Sequence, residues 1–248
     1  MKLSIVIPFK DEKDLLPALI NHILQSVPIQ KEIIAVYDEK SSDVARYIEK
    51  AVKNFSDIND EIKFLKNKYG SGVPNAIRTA LEHCTGDPIV FMTADFSDDP
   101  KTINQMIEKI KEGSDIVCGS RFSKGGGYLN GNLLKKLASQ MTGVSLHYIT
   151  GIPTKDITNT FKMFRKKVLE DVGVKGDGFE WAMRATCKSF YKGYRISEVP
   201  HVWREMRKEK KTNFKTKWII NYLKIYVWTI MNRFRTFRES YIAHIFEV

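Results

Sequence analysis

Five short apolar runs, LSIVIP, EIIAVY, IKFL, PIVFMT and DIVCGS, recur along the first half of the chain with helix-length segments between them. Runs this short, rich in β-branched residues and lacking polar alternation, read as strands buried on both faces of a sheet. The intervening segments carry helical stripes: Leu15, Leu16, Leu19, Ile20 and Ile23 form one, and Ala76, Ile77, Ala80 and Leu81 another. The strand, helix, strand, helix order predicts an α/β fold, a doubly wound, Rossmann-like and mostly parallel sheet with helices on both faces. The chain has 248 residues, 43% of them hydrophobic, which suffices for one such domain with an appendage. Ligands of these sheets bind outside the carboxyl ends of the strands.

Those ends are polar: PFKDE, YDEKSSD, KYGSGVPNA, TADFSDD and GSRF follow the five runs in order. Each alone is an ordinary turn or helix cap, and Asp98 before Pro100 is a natural helix start. Five on one rim point to a binding site. In a chain of net charge +11, the loop Val90–Pro100 nevertheless closes a buried strand with Asp95, Asp98 and Asp99. Oxygen ligands in that number suit a hard divalent cation bridging to a diphosphate. The three cysteines, Cys84, Cys118 and Cys187, have no metal-ligand spacing and suit a reducing compartment. The opening MKLSIVIP has too short an apolar run for a secretory leader.

The stretches SIVIPFKDE, EIIAVYDEKSSD, NKYGSGVPNAIRTAL, TADFSDDP, DIVCGSRF and DITNTFKMFRKKVL resemble the ordered motifs of family 2 inverting glycosyltransferases of GT-A fold, in the dolichyl-phosphate mannose synthase-like branch. The resemblance spans roughly residues 1 to 200. It implies a nucleotide-sugar donor held by the amino-terminal half, with Mg²⁺ or Mn²⁺ between protein and diphosphate. Pro8 and Glu12 match the first nucleotide-binding motif, Asp38 the acidic residue ending the second strand, and Asp95 the second aspartate of the Asp-x-Asp metal motif. Phe9, Tyr37, Asn75, Thr93 and Ala94 join them as expected donor contacts. Two positions depart from the family: Thr93 stands where the first metal aspartate falls, and Tyr37 where many relatives carry an aspartate. Asp95 is therefore the expected main ligand. Asp98 or Asp99 either shares the metal or caps the following helix.

Inverting transfer displaces a nucleoside diphosphate through an oxocarbenium-like transition state, so cations must neutralise the leaving group. Arg121 in GSRF matches a family arginine near the diphosphate and the acceptor phosphate, and its planar fork suits phosphate oxygens. An anionic phosphate acceptor needs no strong base. A sugar hydroxyl does, and Glu180 or Asp156 is then the candidate, although each also reads as an ordinary structural carboxylate. The glycine-rich SKGGGYLNGN, residues 123–132, is either a closing lid or a flexible linker. His147, in the helical pattern that follows, reads as a packed histidine.

From His201 to Val248 there are 11 Lys or Arg against 4 Asp or Glu, a net +7 of the chain's +11. The same segment carries Trp218, Ile219, Tyr222, Leu223, Tyr226, Trp228, Ile230, Phe234 and Phe237. The boundaries expected are a catalytic domain over 1–205 and a basic amphipathic helix over 206–248. Such a helix suits a membrane interface, as a peripheral protein of the cytoplasmic face, or packing on the domain or on a second subunit. Asn221, Lys224 and Arg233 interrupt any spanning run. With no nucleic-acid motif beside the charge, no nucleic-acid partner is expected. Relatives that glycosylate polyprenyl phosphate contact the lipid phosphate from the loop after the last strand. WREMRKEKKTNF takes that place, with Arg204, Arg207, Lys210 and Lys211 as its cations but without the usual glycine and serine. The reading is transfer from GDP- or UDP-sugar to polyprenyl phosphate. The alternatives are a glycan hydroxyl acceptor, or a non-catalytic partner subunit that binds nucleotide-sugar.

Overall fold

The computed structural model describes residues 1–10, 12, 15–38, 42–52, 61–206 and 216–246. The chain opens with β1 (Leu3–Phe9), α1 (Leu16–Ser26), β2 (Lys31–Tyr37), α2 (Ser42–Val52), β3 (Glu61–Lys66) and α3 (Val73–Leu81). It continues through β4 (Ile89–Phe91), α4 (Thr102–Lys111), β5 (Ile116–Ser120), β6 (Gly127–Leu129) and α5 (Leu133–Thr150). The remainder is β7 (Lys162–Phe164), α6 (Lys166–Val172), α7 (Glu180–Tyr191), β8 (Ile196–Pro200), β9 (Val202–Arg204) and α8 (Thr216–Phe246).

Seven strands form one sheet in the order β3-β2-β1-β4-β7-β5-β8. The pairing is parallel throughout except at β7, which runs antiparallel to both β4 and β5. The period of two along each strand divides the core between its faces. Leu3, Ile5, Ile7 and Phe9 of β1 pack with α1 and α4, whereas Val6 packs on the other face with Ala76, Ile77 and Ala80 of α3. All five expected strands form. The antiparallel β7 escaped the sequence reading because Lys162 places a charge in a three-residue strand. Fully buried, its ammonium donates to the Ile157 carbonyl at 2.8 Å and the Thr186 hydroxyl at 3.2 Å.

The glycine-rich 123–132 segment is not an unstructured linker. Its β6 pairs in parallel with β9, and the Tyr128 and Trp203 rings lie 4.7 Å apart. Packing and apolar exposure coexist on α8: Tyr222, Ile225, Tyr226 and Ile230 cover Leu146, Ile152, Met183 and Cys187, while Ile219, Leu223, Met231 and Phe234 stay exposed. Among the described residues no helix is long and apolar enough to cross a membrane.

Glu32 of β2 ties the amino-terminal strands to the loop before β4. Fully buried, it accepts hydrogen bonds from the Ser4 hydroxyl (2.5 Å) and the Thr85 and Gly86 amides (2.6 and 3.0 Å). Gly86 must lack a side chain there, since a Cβ would lie 2.7 Å from the Lys2 carbonyl oxygen. Burial pushes the Glu32 pKa up, but Ser4, the two amides and Lys63 outweigh it and bring it down to about 2. A depressed folded pKa means the contribution is complete above the ordinary value of 4.5 and is lost as pH falls towards 2. Urea unfolding across that window should show stability falling with acid, with a shallower slope in Glu32→Gln. An unchanged slope in the variant would contradict this role.

Candidate active site

The carboxyl ends of β1, β2, β4 and β5 open onto a cavity of about 560 Å³. Pro8, Phe9 and Glu12 line it after β1, Asp38 after β2, Thr93, Ala94 and Asp95 after β4, and Arg121 after β5. Eight of the expected site residues thus meet at one rim. Asp38 is steadied by the Asn67 side-chain amide at 2.9 Å, and Glu12 accepts from the Lys10 amide at 2.8 Å.

The acidic loop divides its carboxylates by role. Asp95 lines the cavity while its Oδ1 accepts from the Ser97 amide at 3.2 Å, across a turn in which Phe96 adopts φ 60°. That conformation is rare for a bulky residue and marks a tightly determined loop. Asp98 corrects the sequence expectation. Its Oδ2 accepts from the Thr93 amide and hydroxyl (3.0 and 2.8 Å), its Oδ1 faces His201 Nε2 at 3.1 Å, and it does not line the cavity. With both oxygens engaged it braces the loop. Asp99 receives the Lys101 amide at 3.0 Å, and α4 begins at Thr102 with no side-chain cap. His201, fully buried and 4.7 Å from the Phe161 ring, was missed from sequence because nothing in EVPHVW links it to a loop 103 positions earlier.

Arg121 is held by Asp156 in a bidentate pair, Nε to Oδ2 at 2.6 Å and Nη2 to Oδ1 at 2.7 Å. The Arg121 amide adds 2.9 Å to the same carboxylate, and Nη2 reaches the Thr158 hydroxyl at 3.1 Å. The geometry of α5 permits this: Gly143 lets the helix pass the Lys155 carbonyl, where a Cβ would come within 2.0 Å. Burial alone pushes the Asp156 carboxyl up, but the charge and hydrogen bonds of Arg121 hold it below the usual range. Burial likewise opposes the charge on Arg121, and Asp156 raises its pKa nonetheless. The fork keeps Nη1 outside these bonds while the residue lines the cavity.

Other expected residues sit elsewhere. Tyr37 is absent from the lining and packs its ring 5.8 Å from that of Phe9. Asn75 is also absent, donating to the Tyr69 carbonyl at 2.8 Å and accepting from Arg78 at 3.1 Å. Asp156 and Glu180 lie behind the lining, and Glu180 is fully buried, accepting from the Asp177 amide at 2.8 Å and the Asn221 side chain at 3.0 Å. Arg204 is exposed on β9, its amide bonded to the Ser97 carbonyl at 3.1 Å. Arg207, Lys210 and Lys211 lie outside the described residues. Sequence reading missed Phe179, Trp203 and Trp218, which line the cavity from the carboxyl-terminal half. Their spacing matches core packing as well as it matches a site.

Among the described residues no three His, Cys, Asp or Glu side chains form a metal-sized group. One carboxylate still fits Mg²⁺ or Mn²⁺, which commonly take one or two carboxylates and complete their shell with substrate phosphate and water. Asp95 fits that donor set, with the Thr93 hydroxyl committed to Asp98.

A carboxylate-lined cavity beyond the strand ends of a mostly parallel sheet, with an anchored arginine, is an α/β arrangement of GT-A fold. The chain belongs to glycosyl transferase family 2, which matches residues 4–173. It is 33% identical over 228 residues to the dolichol-phosphate mannosyltransferase of Pyrococcus furiosus, covering 90% of this chain and 62% of that one. Over 172 residues it is 28% identical to the undecaprenyl-phosphate 4-deoxy-4-formamido-L-arabinose transferase of Klebsiella pneumoniae, covering 68% of this chain and 50% of the relative. The chain thus spans between half and two thirds of the length of these curated relatives. The glucosyl-3-phosphoglycerate synthase of Mycobacterium tuberculosis, solved with Mn²⁺, UDP and glucosyl-3-phosphoglycerate, superposes with TM-score 0.68 at 16% identity, over 94% of this chain and 79% of that one. Its complex with Mg²⁺ and UDP gives 0.67 at 15%. At such identity the likeness shows the fold alone.

Asp156→Asn leaves Arg121 buried without a counter-charge, and denaturant unfolding should show a loss of about 3–5 kcal/mol. The double variant Arg121→Met with Asp156→Leu should lose less than the two single variants summed. Additive losses would contradict a coupled pair.

Proposed function

We propose that this chain transfers a sugar with inversion from a nucleotide-sugar, GDP-mannose or a UDP-sugar, to polyprenyl phosphate at a membrane surface. The observation that carries the reading is the cavity itself. Donor-type residues from the amino-terminal strands and an aromatic wall from the carboxyl-terminal half enclose one space, with Asp95 and Arg121 both on it. In this reading Pro8, Phe9, Glu12 and Asp38 hold the nucleotide. A divalent cation on Asp95 would offset the charge of the diphosphate leaving group. Arg121, prevented by Asp156 from swinging away, presents a fixed positive charge to phosphate oxygens, which costs no reorganisation as charge develops.

An acceptor phosphate is already ionised and needs no proton removed. Neither Asp156 nor Glu180 lines the cavity, which favours such an acceptor over a sugar hydroxyl. Asp177 and Glu205 do line it, and a hydroxyl acceptor would have to use one of them as base. The names of the two curated relatives, each a transferase of a polyisoprenoid phosphate, support the same choice.

Membrane contact is supported by the exposed apolar residues of two packed helices. On α5 these include Leu134 and Met141; on α8 they include Leu223, Met231 and Phe234. Tyr226 of α8 joins the helices through the Ser145 hydroxyl at 3.0 Å. The 207–217 stretch that precedes most of α8 in sequence is basic, and apolar exposure together with that charge suits an anionic leaflet, on the cytoplasmic face in this reading. A second copy of the chain or a membrane protein is the other cover for it. Flotation with anionic but not neutral vesicles supports the lipid; dimerisation without flotation supports the protein partner.

Radiolabelled sugar offered from a panel of GDP- and UDP-sugars should pass into an organic-extractable product with a short polyprenyl phosphate, and EDTA should stop it. Asp95→Ala should lower transfer at least about hundredfold. Full turnover in that variant contradicts the role of Asp95, and label moving only to glycan contradicts the acceptor.

A further inference from the structure

The helix that carries the outward apolar stripe also reaches inward to the cavity. Trp218, in the first turn of α8, lines it beside Phe179 and Gly178, which lead into α7. The Trp218 and Phe179 rings meet edge to face, with centroids 5.9 Å apart at 84°. Gly178 seats the indole: a Cβ there would fall 2.6 Å from Trp218 Cε2 and 2.8 Å from Nε1. One turn further along α8, Asn221 donates to Glu180 Oε1 at 3.0 Å, and the Asp177 amide donates to the same oxygen at 2.8 Å. Glu180 is thereby the clasp between α7 and α8, with its Oε2 buried and unpaired. The position of Trp218 is therefore set both by Phe179 and Gly178, which line the cavity, and by Glu180 and Asn221, which do not.

The cavity has two chemically different sides. The lining from the ends of β1, β2 and β4 carries Glu12, Asp38 and Asp95, whereas the lining from the carboxyl-terminal half carries Phe179, Trp203 and Trp218 together with Asp177 and Glu205. Arg121 lies between them in sequence and also lines the space. The edge-to-face pair of Phe179 and Trp218 gives this part of the lining an apolar surface that suits the hydrocarbon next to an acceptor phosphate, through area burial and π contact.

Building on the acceptor reading above, we propose that Trp218, braced by Phe179 and the Glu180–Asn221 clasp, is a specificity-determining residue that selects acceptors with an isoprenoid group adjoining the phosphate. The membrane-facing helix then supplies part of the acceptor site, and the first isoprene unit packs against the indole while the phosphate meets Arg121.

The test uses the full chain with a water-soluble short prenyl phosphate, so that acceptor contact is measured without vesicles. Trp218→Ala should raise the KM for prenyl phosphate at least about tenfold, with a much smaller change in donor KM, and Trp218→Phe should recover most of the loss. Gly178→Ala, which must push the indole from its seat, should shift the acceptor KM in the same direction. Thermal melting of each variant checks the fold, and the Trp218→Phe and Gly178→Ala pair carries the test if Trp218→Ala unfolds. Acceptor KM values within twofold of wild type, or an effect confined to the donor KM, would overturn the assignment. Wild-type protein that transfers to no prenyl phosphate would overturn the acceptor reading and this assignment together; wild-type transfer with indifferent Trp218 variants would overturn the assignment alone.

Discussion

The bidentate pair between Arg121 and Asp156 organises the site, because the segment that carries Asp156 is joined to β5 and β8 and, through β7, to β4. Asp156 grips both the side chain and the amide of Arg121, the residue that follows β5. Three residues on, the Asn159 side chain donates to the Gly119 carbonyl at 2.8 Å. Just before it, the Thr154 hydroxyl and Lys155 amide bond Glu198 of β8 at 3.0 and 2.8 Å. The same segment then returns through the sheet as β7. A charge pair buried this deeply is a weak source of stability compared with an apolar replacement, but its geometry is strongly determined. A site for phosphate benefits from that determination, since a cation that cannot relax is one that need not reorganise.

A second set of buried polar contacts does for the acidic loop what Asp156 does for Arg121. Asp98 accepts from Thr93 on one oxygen and faces His201 on the other, so the loop after β4 is fastened to the junction of β8 and β9. The backbone bond from Arg204 to Ser97 repeats the connection. Asp95 is left to line the cavity because its neighbour carries the structural burden. The replacement of an aspartate by Thr93 makes sense in these terms: a hydroxyl can donate to Asp98, and a carboxylate at that position would repel it.

The parallel half of the sheet was legible from the first five apolar runs, because strands buried on both faces leave a signal that needs no partner to interpret. Eight cavity-lining positions were legible because the strand order brings their loops to one rim. The antiparallel β7 was not, since its first residue, Lys162, is a charge whose burial depends on the Ile157 carbonyl and the Thr186 hydroxyl. The roles of Asp98, His201 and Trp218 were hidden for the same reason. A carboxylate on a loop reads as a ligand until the histidine that engages it is known, and a tryptophan in an amphipathic helix reads as membrane anchor or core until the turn it covers is known. Tyr37 shows the reverse case, in which a residue beside the site by sequence turns its ring to Phe9 instead.

The proposed function requires Asp95 to be the carboxylate that meets the donor's metal-bound diphosphate. A crystal structure of the protein with Mn²⁺ and GDP or UDP, recorded for the anomalous signal of manganese, tests this directly. The expected result is a manganese peak within coordination distance of Asp95, in the cavity that Arg121 also lines. A peak held by Asp98 or Asp99 instead, or a diphosphate bound outside that cavity, would contradict it.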